Sequence, residues 1–322
     1  MKRGICWILL IAIIFLVGCS AIAPLENSHT PYQSYKDIPG ITPEEIAAID
    51  SLLAAKPQLV YGVCLSTEAF FYEDGSMGGF SPLLTARMSE LFGFSFAFYP
   101  CGKEEMAQKI ESGQIDLTGD LTATPERLQK YMMTDAIIKR MIKVFTNADA
   151  EAIEETAKRR PAKCAFLNGS ATYAQVEKSW SISFEPVFID DRAVVPQMLQ
   201  RGEIDAFIDE GTQEAFFAAY DFIAAEEYYP LTYVPISLSA ANAEMAPIIS
   251  IMQKYLVNGG SFELTELYNR GYKEYRKHRL FASLTEQEKE YIEKDGDGAP
   301  IFVAYEDHNY PISFYNVKDK QF

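Results

Sequence analysis

The chain contains few of the side chains on which hydrolytic or metal-dependent chemistry usually depends. Its three histidines, His29, His278 and His308, are far apart and lack the spacing of a zinc site or of a histidine-based catalytic group. No pair of carboxylates, and no Ser-His or Cys-His arrangement, indicates a catalytic centre. The sequence therefore predicts a protein that is not an enzyme, with no metal and no cofactor.

The charge balance excludes nucleic acid as a partner. The 322 residues include 29 Lys and Arg against 45 Asp and Glu, which gives a net charge of −16. A nucleic-acid-binding surface needs basic residues for the phosphates.

Hydrophobic residues make up 48% of the chain, which is in the range of globular proteins. The length of 322 residues fits one large domain with two lobes or two domains of ordinary size.

The N-terminus has the pattern of an export signal. Lys2 and Arg3 precede an apolar stretch at 5–17, and the sequence Leu-Val-Gly-Cys that ends at Cys19 resembles a bacterial lipobox. We expect residues 1–19 to be a lipoprotein-type signal, with Cys19 lipidated, and residues 20–40 to be a tether. An uncleaved membrane anchor is the alternative. Both place the rest of the chain outside the cytoplasm, at the membrane.

The other cysteines do not indicate a disulfide framework. Cys64, Cys101 and Cys164 remain after Cys6 and Cys19 are assigned to the signal and its lipid, and this number is odd. Cys64 and Cys101 each end a strand-like run and could pair if the two strands are neighbours. Ordinary buried thiols are the favoured alternative.

Alternating strands and helices predict an α/β fold. Thr42 and Glu45 form a capping box with Pro43 at the first helical position, and a helix of about 13 residues follows. The next predicted strands are 59–65, 94–99 and 115–117, and the next helices are 82–91, 104–112 and 125–131. This order is typical of a parallel sheet between helical layers.

The same order starts again after Pro161. Strands are predicted at 163–167, 184–188, 204–208 and 233–238, and helices at 172–177, 193–201, 214–220, 246–256 and 262–277. A complete α/β lobe is therefore inserted between the early and late parts of another lobe.

An internal repeat starts near the C-terminus. Six identities share one offset of 243 positions: Thr42 and Thr285, Glu45 and Glu288, Ile49 and Ile292, Val60 and Val303, Phe71 and Phe314, Tyr72 and Tyr315. We expect residues 284–322 to be the incomplete start of a second copy of the domain at 41–283.

One stretch resembles a known family. In residues 113–135, a glycine precedes a short strand, small polar residues follow, and Thr124, Pro125, Glu126 and Arg127 open a helix. This stretch is similar to family 3 of the bacterial extracellular solute-binding proteins, as are residues 77–80, 166–172 and 202–209. The resemblance covers about residues 59–275.

The resemblance implies a two-lobe type II periplasmic-binding-protein fold, also called a Venus-flytrap. Each lobe is a mixed or parallel sheet flanked by helices. Lobe 1 would comprise about 57–142 and 235–280, and lobe 2 about 146–230. The crossing segments near 143–147 and 231–235 would form the hinge.

The resemblance also implies which residues bind a ligand. An α-amino acid presents a carboxylate and an ammonium, so its site needs a guanidinium and a carboxylate. In the family, the arginine that matches Arg127 takes the ligand carboxylate, and the aspartate that matches Asp209 takes the ammonium. The other expected ligand-binding residues are Phe70, Asp120, Thr122, Ser170 and Ala171. The alternatives are a surface ion pair of Arg127 with Glu126 or Asp135, and a core position for Phe70.

Asp120 departs from the family pattern, which has a small neutral residue at this position. A carboxylate there would repel a ligand carboxylate unless it is paired or protonated. The ligand is then either cationic or not an ordinary amino acid.

Two functions fit the sequence. The first is binding of a small polar solute outside the cytoplasm, an amino acid or a related amine, for uptake through an ABC permease. The second is the ligand-sensing ectodomain of a membrane receptor with a histidine kinase or diguanylate cyclase output.

Overall fold

Residues 32–295, 308–309 and 313–314 are described in a computed structural model of the protein. The expected signal, the Cys19 lipidation site and most of the tether lie outside the described residues, as does most of the expected second copy beyond residue 295. No helix in the described ranges has the length and apolar character that a membrane crossing requires.

Thirteen strands are seen in the described part of the chain. They are β1 (Gln58–Val63), β2 (Phe70–Phe71), β3 (Met77–Gly78), β4 (Ser95–Pro100), β5 (Leu117–Leu121), β6 (Met132–Asn147), β7 (Ala162–Leu167), β8 (Phe184–Ile189), β9 (Ala206–Glu210), β10 (Ile223–Glu227), β11 (Tyr233–Ala240), β12 (His308–Asn309) and β13 (Ser313–Phe314).

Eleven α-helices accompany these strands in the same ranges. They are α1 (Pro43–Ala55), α2 (Phe80–Phe92), α3 (Lys103–Glu111), α4 (Pro125–Leu128), α5 (Ile153–Ala157), α6 (Thr172–Ser179), α7 (Val195–Gln200), α8 (Glu214–Phe217), α9 (Ala246–Tyr255), α10 (Ser261–Ser283) and α11 (Glu286–Asp295).

The main sheet has two parallel groups joined by antiparallel strands. The strand order is β4-β1-β5-β11-β6-β9-β7-β8, and β10 also pairs with β6. β1 is parallel to β4 and β5, and β7 is parallel to β8 and β9. β6 and β11 are antiparallel to their neighbours and connect the two groups. The predicted α/β class with mixed and parallel sheets is confirmed.

The long strand β6 is shared by both groups. Its residues from Met132 to Met141 pair with β11, and its residues from Ile142 to Asn147 pair with β9 or β10. The sequence predicted a helix as far as Tyr131, and that helix ends at Leu128. It predicted only a hinge segment where the second half of β6 lies.

Buried apolar side chains hold the helices on the sheet. Tyr61, Leu84 and Ile248 belong to one cluster that joins β1, α2 and α9. Phe145, Phe207 and Phe217 form a second cluster between β6, β9 and α8. Burial of such side chains contributes roughly 1.5–3 kcal/mol each.

Local signals in the sequence fix several helix ends. Thr42 accepts a hydrogen bond from Glu45 N, and Glu45 accepts one from Thr42 N, which is the predicted capping box. Thr285 and Glu288 form the same reciprocal pair before α11.

Cys64, Cys101 and Cys164 are free thiols.

Candidate functional site

A buried arginine lies where the two parallel groups of strands meet. Arg140 is on β6, and its side chain is 3% exposed. Its guanidinium donates to Glu68 through Nε at 2.8 Å and through Nη2 at 2.6 Å, to Asp120 at 2.5 Å, and to Glu210 through Nη1 at 2.8 Å. Three carboxylates from three separate segments therefore share one cation.

A glycine positions Glu68 for this contact. Gly79 has φ of +105°, and a Cβ at Gly79 would lie 2.4 Å from the carbonyl oxygen of Glu68. The start of α2 can approach this loop closely because residue 79 has no side chain. Ser81 N then donates to the same carbonyl at 2.9 Å. The loop holds Glu68 at 3% exposure beside Arg140.

Both carboxylate oxygens of Asp120 accept hydrogen bonds within the fold, which bears on the repulsion of a ligand carboxylate expected from its sequence position. Its Oδ1 accepts from Arg140, and its Oδ2 accepts from Cys64 N at 2.9 Å. A carboxylate with both oxygens bound to donors has less repulsion to exert on a ligand anion.

Two adjacent carboxylates end β9. Asp209 Oδ1 accepts from Thr172 Oγ1 at 3.2 Å and from Glu210 N at 2.8 Å. Asp209 Oδ2 is buried and has no hydrogen-bond partner in the described part of the chain. Burial raises the pKa of Asp209 against the attraction of Lys103. Burial alone would raise the pKa of Glu210 too, but Lys103 and Arg140 outweigh it and lower that pKa.

Lys103 faces these carboxylates from the first turn of α3. Its Nζ lies 3.8 Å from Glu210 Oε1. Burial would lower the pKa of Lys103, but Glu210 and Asp209 outweigh this effect and raise it. Lys103 is therefore a charged ammonium beside the acid pair.

Arg127 lies at the start of α4. Thr124 caps this helix by accepting from Arg127 N at 3.3 Å, and Arg127 Nη1 donates to the carbonyl of Thr122 at 3.2 Å. Within the residues that the structure describes, no carboxylate lies at ion-pair distance from this guanidinium, so the alternative pairings with Glu126 and Asp135 are not formed.

Two adjoining cavities open above these residues. The first has a volume of about 490 Å³, and the second about 390 Å³. Both are lined by Lys103, Asp120, Leu167 and Asp190. We call them together the cleft.

The cleft gathers five of the seven expected ligand-binding residues. The second cavity is lined by Asp120, Thr122, Arg127, Ser170 and Ala171. Asp209 is fully buried next to Glu210, which lines that cavity. Phe70 lines neither cavity and stacks on His278 with ring centroids 4.9 Å apart. The ligand contacts of all seven stay predictions.

Sequence reasoning missed the three residues that balance the charge of the cleft, Glu68, Lys103 and Arg140. A signal existed for Arg140, because Ile138, Arg140, Ile142 and Val144 alternate with more exposed positions and are all buried. An arginine among the inward-facing residues of a strand is expected to have buried acidic partners.

Comparisons with known proteins agree with this architecture. Residues 59–288 match the sequence model of the bacterial extracellular solute-binding proteins, family 3. No curated protein matches the chain.

Similar folds occur among solved structures at identities that show the fold alone. The periplasmic VFT2 domain of Bordetella pertussis BvgS is 19% identical, with a TM-score of 0.57 over 70% of this chain and 97% of that chain. An ancestral arginine-binding protein bound to glutamine is 17% identical, with a TM-score of 0.52 over 67% and 98%. An ancestral amino acid-binding protein described as a precursor of cyclohexadienyl dehydratase is 17% identical, with a TM-score of 0.52 over 70% and 98%.

Proposed function

The chain belongs to family 3 of the bacterial extracellular solute-binding proteins, and we propose that it binds a small polar solute with a carboxylate group in the cleft. One observation carries this proposal: the Arg127 guanidinium lines the cleft, and within the described part of the chain its only partner is neutral, the carbonyl of Thr122. An arginine fork suits a carboxylate in geometry and charge. Amino acids are the reference ligands, because two of the similar structures are described as amino-acid-binding proteins.

The two lobes expected from the sequence would close on the solute by a hinge motion. β6 and β11 run between the two parallel groups of strands and are the crossing elements. We place the hinge where β6 changes partner, between Met141 and Ile142. Closure would bring the turn of Ser170 and Ala171 against a solute held by Arg127.

We propose uptake through an ABC permease as the role of this binding, with the protein held at the membrane through Cys19. Lipidation of Cys19 is tested by mass spectrometry of the protein from the membrane fraction, with Cys19→Ala as the control. A tryptic peptide that begins at Cys19 with an acyl mass supports the anchor. An unmodified Cys19 in an intact N-terminal peptide contradicts it.

A receptor ectodomain is the second candidate. The similarity to the periplasmic VFT2 domain of BvgS and the repeat of the Thr42–Glu45 capping box at Thr285 and Glu288 favour it. Cellular uptake of the bound solute separates the two roles. Uptake that Arg127→Ala abolishes indicates transport, and uptake that is unchanged by this variant favours the receptor.

A thermal-shift screen tests the binding itself. The full chain in a mild detergent is heated with amino acids, carboxylic acids, polyamines and small peptides. A ligand at 100 times its Kd adds about 2.7 kcal/mol, and Tm rises by several degrees. Arg127→Ala should melt at the wild-type temperature and lose the ligand-dependent rise. No rise with any compound would contradict the proposed function, and a chemically altered compound recovered after binding would indicate an enzyme.

A further inference from the structure

The acid pair at the end of β9 already faces an ammonium that belongs to the protein. Lys103 Nζ lies 3.8 Å from Glu210 Oε1, and Lys103 lines both cavities of the cleft. The charge of Lys103 attracts both Asp209 and Glu210. An α-ammonium of a ligand would have to enter beside this cation.

The pair is poorly accessible to a second cation from the cleft. Glu210 is in contact with Arg140 at 2.8 Å, a cation that it shares with two other carboxylates, and Lys103, which lines both cavities, lies 3.8 Å from Glu210. Asp209 is fully buried and lines neither cavity, so its free Oδ2 oxygen is not open to a ligand in the cleft. A second ammonium in the cleft would therefore meet repulsion from Lys103 without a free carboxylate of this pair within reach to offset it.

The situation at Arg127 is the opposite. Among the residues that the structure describes, its guanidinium has a neutral partner only, and it lines the same cavity as Ser170. Ser170 Oγ is buried without a hydrogen-bond partner in the described ranges and is available as a donor. The cleft therefore offers a cation and a hydroxyl to a ligand anion, while Glu210 is already in contact with two cations of the protein, and Asp209 lines neither cavity.

We propose that Lys103 takes the place of the ligand ammonium, so that the preferred solute is a carboxylic acid with no amino group beside its carboxylate. Hydroxy acids and keto acids belong to this class. The inference rests on the proposed function, because it concerns the same cleft and the same contact with Arg127. It makes Lys103 the residue that selects against amino acids.

Pairs of compounds that differ only in the amino group test this inference. The full chain in detergent is titrated calorimetrically with lactate and alanine, malate and aspartate, phenyllactate and phenylalanine, and argininic acid and arginine. We expect the hydroxy acid of at least one pair to bind at least about tenfold more tightly than its amino acid, because juxtaposed ammonium groups disfavour binding. Equal or tighter binding of the amino acid in every pair that binds overturns the inference and leaves the proposed function intact.

Variants at Lys103 identify the cause of the preference. Lys103→Met removes the charge and keeps the length of the side chain. The ratio by which this variant prefers the hydroxy acid over the amino acid should therefore fall at least about tenfold. Lys103→Arg should retain the preference. Lys130→Met is the matched control, because Lys130 lines the second cavity but pairs with Glu111.

Two further results would count against the inference. If Lys103→Met unfolds, Lys103→Gln is titrated instead, and a preference that survives in a folded neutral variant overturns the role of Lys103. If neither these compounds nor any carboxylate of the thermal-shift screen binds the wild-type protein, the proposed function fails together with the inference.

Discussion

Arg140 Nη1 lies 2.8 Å from Glu210 Oε2, and this contact joins the middle of β6 to the end of β9 beneath the cleft. The same guanidinium contacts Glu68, in the loop that follows β1, and Asp120, near the end of β5, and both strands belong to the other parallel group. Arg140 therefore holds the segments that surround the cleft in one arrangement. A buried cation with three acidic partners is costly to remove, because its partners stay behind without water.

Replacement of Arg140 should strongly destabilise the protein. Arg140→Met removes the cation that three buried carboxylates share, and loss of one partner of a buried ion pair costs about 3–5 kcal/mol. We expect Tm to fall by about 10 °C in a thermal melt. Arg140→Lys keeps the positive charge but not the several donors of the guanidinium, so its Tm should fall by less. Arg159→Met is the control, since Arg159 is exposed. An unchanged Tm for Arg140→Met would show that the network does not stabilise the fold.

The contact between α10 and α2 should not tolerate a methyl group. A Cβ at Gly271 would lie 2.4 Å from Phe80 N, a backbone atom that cannot move aside easily. Gly271→Ala should therefore cost about 1–3 kcal/mol by overpacking. Gly102→Ala is the matched control, because nothing lies within 4 Å of a Cβ there and its φ is −76°. Chemical denaturation measures both, and equal stability of the two variants would contradict the expected close packing.

Local signals predicted much of the fold. The capping box predicted a helix from Pro43 to about Ala55, as observed, because the residues that satisfy the first turn are three positions apart. The sixteen residues of β6 were largely missed. Their conformation depends on pairing with β9, β10 and β11, which are far away in the sequence, and the local alternation from Ile138 to Val144 covers only part of the strand.

The site was predictable only as far as a local motif extends. Thr122 and Arg127 come from one turn and one helix start, and the structure places both at the cleft. Two of the three acidic partners of Arg140, Glu68 and Glu210, are 72 and 70 positions away. Which cation neutralises which buried acid depends on the packing of both parallel groups, and the sequence alone does not contain that information in readable form.

The ion pair between Arg160 and Asp205 should make stability depend on pH. Arg160 donates to both carboxylate oxygens at 2.6 and 2.7 Å, and Lys163 N donates at 2.8 Å. The hydrogen bonds from Arg160 hold the pKa of Asp205 below its ordinary value of 3.8. A carboxyl with a lowered folded-state pKa stabilises the fold above its unfolded-state pKa, and this stability is lost as the pH falls through the folded-state value.

Asp205→Asn should therefore melt below the wild-type protein near neutral pH, and the difference should disappear as the pH falls below 3.8. Melting curves across this range measure the effect. Glu203→Gln is the neighbouring control, since its contact with Arg201 is long at 3.6 Å and exposed. A difference between Asp205→Asn and wild type that stays constant with pH would contradict an electrostatic origin.

Ser170 provides a prediction that separates binding from stability. Its Oγ is buried without a hydrogen-bond partner in the described residues, whereas Ser179 Oγ contacts Gln175 O and Thr232 Oγ1, both at 2.9 Å. Ser170→Ala therefore removes no hydrogen bond within the fold, and Tm should stay within about 1 °C of wild type. Ser179→Ala leaves partners unsatisfied and should cost about 1–3 kcal/mol.

Binding should respond to the two variants in the reverse order. If Ser170 donates to the solute, Ser170→Ala loses one hydrogen bond of about 0.5–1.5 kcal/mol, and Kd rises roughly twofold to tenfold. Ser179 does not line the cleft, so Ser179→Ala should bind with the wild-type Kd. Calorimetric titration with the tightest carboxylic acid of the wild-type screen measures both. An unchanged Kd for Ser170→Ala would remove Ser170 from the binding site, and a large fall in its Tm would mean that the hydroxyl serves the fold instead.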